Sequence, residues 1–176
     1  MATLVLTVIG DDRSGLVSAL SGVIADHGGS WERSQMARLA GKFAGIVLVA
    51  VPDDQADALI RELRPLGAEG LLDVTVGRTS DPDGTDRDDR ATRLVLELVG
   101  ADRPGIVHDI SRVLASRHVS IEELHTATRE APMSGDMLFE ATARLLAPSS
   151  VSIAELRELL EDLANELMVD ISLSAT

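Results

Sequence analysis

Leu4-Val5-Leu6-Thr7-Val8-Ile9-Gly10-Asp11-Asp12-Arg13-Ser14-Gly15-Leu16-Val17 returns ninety residues later as Leu94-Val95-Leu96-Glu97-Leu98-Val99-Gly100-Ala101-Asp102-Arg103-Pro104-Gly105-Ile106-Val107. Each copy opens with a short β-branched, aliphatic run, the mark of a strand. Leu4, Leu6 and Val8 share one face, as do Leu94, Leu96 and Leu98, and these faces are expected to meet a core. The other face, with Thr7 and Glu97 among Val5, Ile9, Val95 and Val99, is expected to be at most partly buried. A polar, glycine-bounded loop follows, then a helical period. Leu16, Ala19, Leu20, Val23 and Ile24 fall at i, i+3, i+4, i+7 and i+8, matched by Ile106, Ile110, Val113 and Leu114. Pro104 suits the first helical position, where its missing N–H is not needed. Gly28-Gly29 is expected to stop the first helix.

Carried on at the same offset, Ser21, Val23, Ala25, Ser30 and Glu32 meet identical residues at Ser111, Val113, Ala115, Ser120 and Glu122. That makes 13 identities in the 29 positions from Leu4 to Glu32. A ninety-residue period is too long for solenoid repeats of about 20–50 residues and fits two duplicated small domains. Downstream, Glu32–Leu39 and Phe43–Val51 read as strands turning at Ala40-Gly41. Glu122–Arg129 and Met137–Leu145 do the same, turning around Pro132 to Gly135. Second helices place Ala56, Leu59, Ile60 and Leu63 on one face, and Leu156, Leu159, Leu160, Leu163 and Leu167 on the other copy's. Leu72–Gly77 and Val169–Leu173 close the halves as strands. Each half therefore reads β-α-β-β-α-β. The fold class is α+β, two ferredoxin-like units in tandem, each an antiparallel sheet with both helices on one face.

The expected domains are 1–78 and 91–176, joined by an acidic linker at 79–90. Five Asp with Pro82 and Gly84, and no large apolar residue, cannot form a core there. Calcium chelation would need an ordered ligand loop closed by a Glu, which is missing. Across the chain, 29 acidic against 16 basic residues give a net charge of −13, which argues against direct nucleic-acid binding and against an anionic membrane surface. No apolar run approaches the ~20 residues of a membrane span, and Met1 leads into Leu4–Ile9 without a basic segment. A cytoplasmic protein is expected. With no cysteine there is no thiolate chemistry. His27, His108, His118 and His125 lack a metal-ligand spacing, and neither a nucleophile elbow nor a phosphate-binding loop is present. No cofactor is expected.

The two loops offer a different chemistry. A helix N-terminus presents unpaired N–H groups and a partial positive charge, which suits an α-carboxylate. Gly15 and Gly105 remove the side chain that would hold a ligand off that backbone. A neighbouring Asp12 or Asp102 can accept from a ligand ammonium, so loop and helix together match both ends of an amino acid. The competing reading is that these aspartates merely cap the helices. Arg13 and Arg103 read as surface or interdomain charges rather than clamps.

Asp12-Arg13-Ser14-Gly15-Leu16-Val17 and Asp102-Arg103-Pro104-Gly105-Ile106-Val107, each between a strand and an aliphatic helix, resemble the signature of the ACT domain. The tandem arrangement is similar to the glycine cleavage system transcriptional repressor family. Similar pairs also precede phosphoserine phosphatase catalytic domains and sit in other amino-acid enzymes. The resemblance spans about residues 2–77 and 92–174. It implies ligand contacts at Gly10, Asp12, Arg13, Ser14 and Gly15 and at Gly100, Asp102, Arg103, Pro104 and Gly105, with Ser30 and Ser120 completing the sites. Asp12 and Asp102 stand where amino-acid-binding relatives commonly carry Asn, and Ser14 replaces the family's Pro.

The expected function is non-catalytic: sensing a small amino acid of the glycine or serine type and controlling amino-acid or one-carbon metabolism through a protein partner. Because the chain is acidic, transcriptional control would run through a DNA-binding partner. The alternative is a regulatory subunit acting in trans on a metabolic enzyme. The halves are expected to pack together and the chain to form a homodimer, since each sheet leaves a face and two edges to cover.

Overall fold

A computed structural model describes residues 1–81 and 90–175. The chain divides into two compact units, Met1–Thr85 and Asp86–Thr176. Most of the expected linker lies outside the described residues. In the first unit β1 is Ala2–Asp11, α1 Leu16–Asp26, β2 Ser30–Leu39, β3 Lys42–Val51, α2 Ala56–Ala68 and β4 Asp73–Thr79. In the second, β5 is Thr92–Ala101, α3 Ile106–Ser116, β6 Ser120–Glu130, β7 Met137–Ala147, α4 Ile153–Leu167 and β8 Val169–Ala175. The sheets run β2-β3-β1-β4 and β6-β7-β5-β8, antiparallel throughout. This is the expected βαββαβ plan, found twice.

Each core forms where the sheet's alternation meets the helices' period. Leu4, Leu6 and Val8 of β1 and Val47, Val49 and Val51 of β3 are buried against Leu16, Leu20 and Ile24 of α1 and Leu59 and Leu63 of α2. In the second unit Leu94, Leu96 and Leu98 meet Ile106, Ile110 and Leu114 of α3 and Leu156, Leu160, Leu163 and Leu167 of α4. Both cores are aliphatic, as a chain with only three aromatic residues requires. On the helix-free faces Ile9 is 47% and Val99 39% exposed. The strands extend by up to two residues beyond the expected bounds, because backbone pairing continues past the last apolar side chain, while β4 begins at Asp73, one residue later than expected.

Turn chemistry explains the junctions. Ala40 and Gly41 both take positive φ, 49° and 77°, so the two-residue β2–β3 hairpin closes with the primed geometry that suits twisted strands. Gly28 at φ 66° follows α1, and its N–H donates to Ala25 O, as expected of a glycine stop. One local expectation is corrected: Pro104 does not open α3. Gly105, at φ 95°, is the residue that flanks the helix, so Pro104 lies one position outside it in the preceding turn.

Candidate functional site

Both ligand-type loops leave the end of a central strand and enter a helix through a left-handed glycine. Gly15 has φ 91° and ψ −3°, Gly105 φ 95° and ψ −6°, and neither helix has a side-chain cap. The carbonyls of Gly15 and Gly105 accept from Ala19 N–H and Asp109 N–H, each at 2.9 Å. The N–H groups of the first helical turn keep no helical partner. Asp12 and Asp102 therefore do not cap α1 and α3, and the capping alternative falls. Their backbone N–H groups instead donate across to the hairpins, to Gly41 O at 2.9 Å and Met137 O at 2.8 Å.

Four of the expected glycines divide into two kinds. A Cβ on Gly10 would stand 2.3 Å from Leu71 O, and one on Gly100 would stand 2.3 Å from Cγ1 of Val169. Their bareness lets the last strand approach. A Cβ on Gly15 meets nothing within 4 Å and one on Gly105 only Asp109 Oδ2 at 3.9 Å, so space lies open over these helix starts.

The loops differ in charge. In the first, Arg38 Nη1 donates to Asp12 Oδ2 at 3.2 Å, and Lys42 donates to Asp11. Arg13 donates to Gly70 O, tying the loop to the turn before β4. The Lys42 ammonium bonded to Asp11 holds that carboxyl below the ordinary aspartate value. In the second, Ala101 and Leu138 occupy the strand-end positions of Asp11 and Lys42, and Thr128 that of Arg38. Arg103 turns to Asp109 of α3 at 3.8 Å. The Asp102 carboxylate has no hydrogen-bond or ion-pair partner among the described residues. Nothing in the sequence near Asp12 points to Arg38; the sheet register alone brings them together.

Ser30 and Ser120 lie elsewhere. Ser30 is opposite Ala50, which is opposite Thr3, whereas Gly10 is opposite Phe43. Seven positions along β1 are about 23 Å. Ser120, opposite Leu146, is displaced from Gly100 in the same way. Within one unit the structure gathers the loop and helix start but not the serine. Just beyond each serine sits a β-bulge at the identical Glu32 and Glu122, which explains that part of the repeat. A shallow depression of about 420 Å³ lies on the helix-free face of the second sheet, lined by Glu97, Val99, Glu140 and Asp170 among others, and does not include the loop. Among the described residues, no group of three or more His, Asp or Glu is arranged to hold a metal, and no helix is long and apolar enough to cross a membrane.

Known proteins share this architecture. The chain is 39% identical over 80 residues to a UPF0237 protein of Methanopyrus kandleri, covering 46% of this chain and 83% of that one. It is 27% identical over 167 residues to the glycine cleavage system transcriptional repressor of Escherichia coli strain K12, covering 93% and 85%. A crystal structure of a protein of unknown function from Galdieria sulphuraria superposes with a TM-score of 0.86 at 30% identity, covering 99% and 98%. The ACT-domain pattern matches residues 2–77 and 92–174, and the chain belongs to the ACT-domain family, one domain in each half.

Proposed function

We propose that this protein is a non-catalytic regulator that binds a small amino acid of the glycine or serine type and controls amino-acid or one-carbon metabolism through a protein partner. The observation that carries this reading is the second loop. An uncapped helix start faces open space beside Gly105, and the unpaired Asp102 carboxylate lies three residues before it. N–H groups and helix dipole suit a carboxylate, and Asp102 suits an ammonium. The first loop is the weaker site, because Arg38 already engages Asp12. Similarity to a glycine cleavage system transcriptional repressor favours glycine as the ligand and transcription as the process controlled. With a net charge of −13, contact with DNA belongs to the partner.

Magnitude sets the test. At about 1 kcal/mol per heavy atom, glycine binds with about −5 kcal/mol, a Kd of roughly 0.2 mM. At 100 times Kd the bound state gains ~2.7 kcal/mol, a melting shift of about 5–11 °C. A thermal-shift screen of the amino acids on the wild type should reveal the ligand. Asp102→Ala should remove the shift arising from the second domain while changing the ligand-free melting point little. The Asp102 carboxylate has no hydrogen-bond or ion-pair partner among the described residues, and the backbone N–H bond to Met137 O survives the substitution. No shift with any amino acid overturns the sensing role.

A further inference from the structure

At the loop end of the second unit the four strands finish in a row. Glu130 ends β6 opposite Met137, which begins β7. Asp102 donates its N–H to Met137 O at 2.8 Å, and Gly100 is opposite Val169, which follows Met168. With strands about 4.8 Å apart, the row from Glu130 to Met168 spans about 14 Å. Large apolar side chains belong in a core, yet Met133 is 100%, Met168 83% and Met137 43% exposed. Three of the chain's five methionines thus gather at one end of one unit. Met133 is carried by the six-residue turn 131–136, where the first unit has only Ala40-Gly41. Met168 is held at φ 53°, a left-handed conformation disfavoured for its side chain.

The charge here is one-sided. Arg103 is taken by Asp109 and Arg129 by Glu140. Asp102, Glu130, Asp136 and Asp170 have no ion-pair partner among the described residues. At the same end of the first unit Arg38 and Lys42 pair with Asp12 and Asp11. Of Asp11, Asp12 and Asp73 only the last, opposite Ile9 as Asp170 is opposite Val99, has no ion-pair partner among the described residues. We propose that this end of the second unit is the docking surface for a basic, amphipathic segment of the protein partner, its apolar side chains on the methionines and its Lys or Arg residues on the carboxylates. Thioether side chains adapt to irregular apolar partners, and complementary charge steers the encounter and selects the partner. A second copy of this chain would bring a like-charged end to a like-charged end. The inference rests on the reading that the protein acts through a partner, and it holds whether or not an amino acid binds.

The test uses the full chain labelled with 13C-methyl methionine. The probe is a synthetic peptide of about 14 residues with leucines at helical spacing and lysines elsewhere. Its counterpart carries glutamates in place of the lysines. The expected result is saturable shifts of the Met133, Met137 and Met168 methyls with the lysine peptide, none with the glutamate peptide, and still signals from Met1 and Met36. Met133→Lys and Met168→Lys should each weaken binding by roughly tenfold with melting unchanged. No shift, equal shifts at all five methyls, or equal binding of both peptides overturns the proposal. Concentration-dependent shifts of these three methyls in the protein alone would assign the surface to a second copy and overturn it too. Amino-acid binding is read separately from melting, so the two readings can fail independently.

Discussion

A methyl group at Gly100 would stand 2.3 Å from Cγ1 and 2.7 Å from Cβ of Val169, and one at Gly10 would stand 2.3 Å from a backbone oxygen. Overpacking of this kind costs typically 1–3 kcal/mol. Gly10→Ala and Gly100→Ala should each lose about that much in urea denaturation, more for Gly10 because a backbone carbonyl yields less than a side chain. At Gly15 the obstacle is φ 91° rather than space. Charge at the same loop makes a pH prediction. The Lys42 hydrogen bond lowers the titration of Asp11 in the folded state, so its contribution is present above the ordinary aspartate value. It is lost as pH falls through the lowered value. Lys42→Met should return Asp11 to the ordinary range in an NMR titration and abolish that acid-side loss. An unchanged Asp11 titration would refute the pairing.

At the scale of elements, the helix ends separate the copies. Ser152 flanks α4, and its Oγ accepts from Glu155 N–H at 3.3 Å. Ser152→Ala should cost about 1 kcal/mol. Where Gly28 follows α1, the equivalent His118 follows α3 at φ 56°. His118→Gly should stabilise the second unit by about 0.5–1 kcal/mol, as relief of left-handed strain exceeds the entropy glycine adds to the unfolded chain. A lower melting point for this variant would show that the His118 side chain supplies something the backbone cost conceals.

At the scale of the molecule, each unit keeps its own aliphatic core, and each sheet has a helix-free face and long outer strands, β2 and β6. Such edges are usually covered or paired in solution. We expect a homodimer at micromolar concentration by light scattering; a monomeric mass would sink that expectation without touching the fold of either unit.

The periods of the sequence determined the fold because burial is local arithmetic. Leu4, Leu6 and Val8 at period two and Leu16, Leu20 and Ile24 near period 3.6 have one economical solution, a sheet covered by helices, and the ninety-residue repeat doubled it. The bare glycines and aspartates of the two loops were legible for the same reason, since they lie together along the chain. What the tertiary structure alone decided depends on register. It brought Arg38 to Asp12, set Ser30 at the far end of the sheet, and placed Met133, Met137 and Met168, from separate turns and strands, at the same end of the second sheet as Asp102. Pairing between strands far apart in sequence is fixed by many backbone bonds acting together, and no short stretch of residues encodes it.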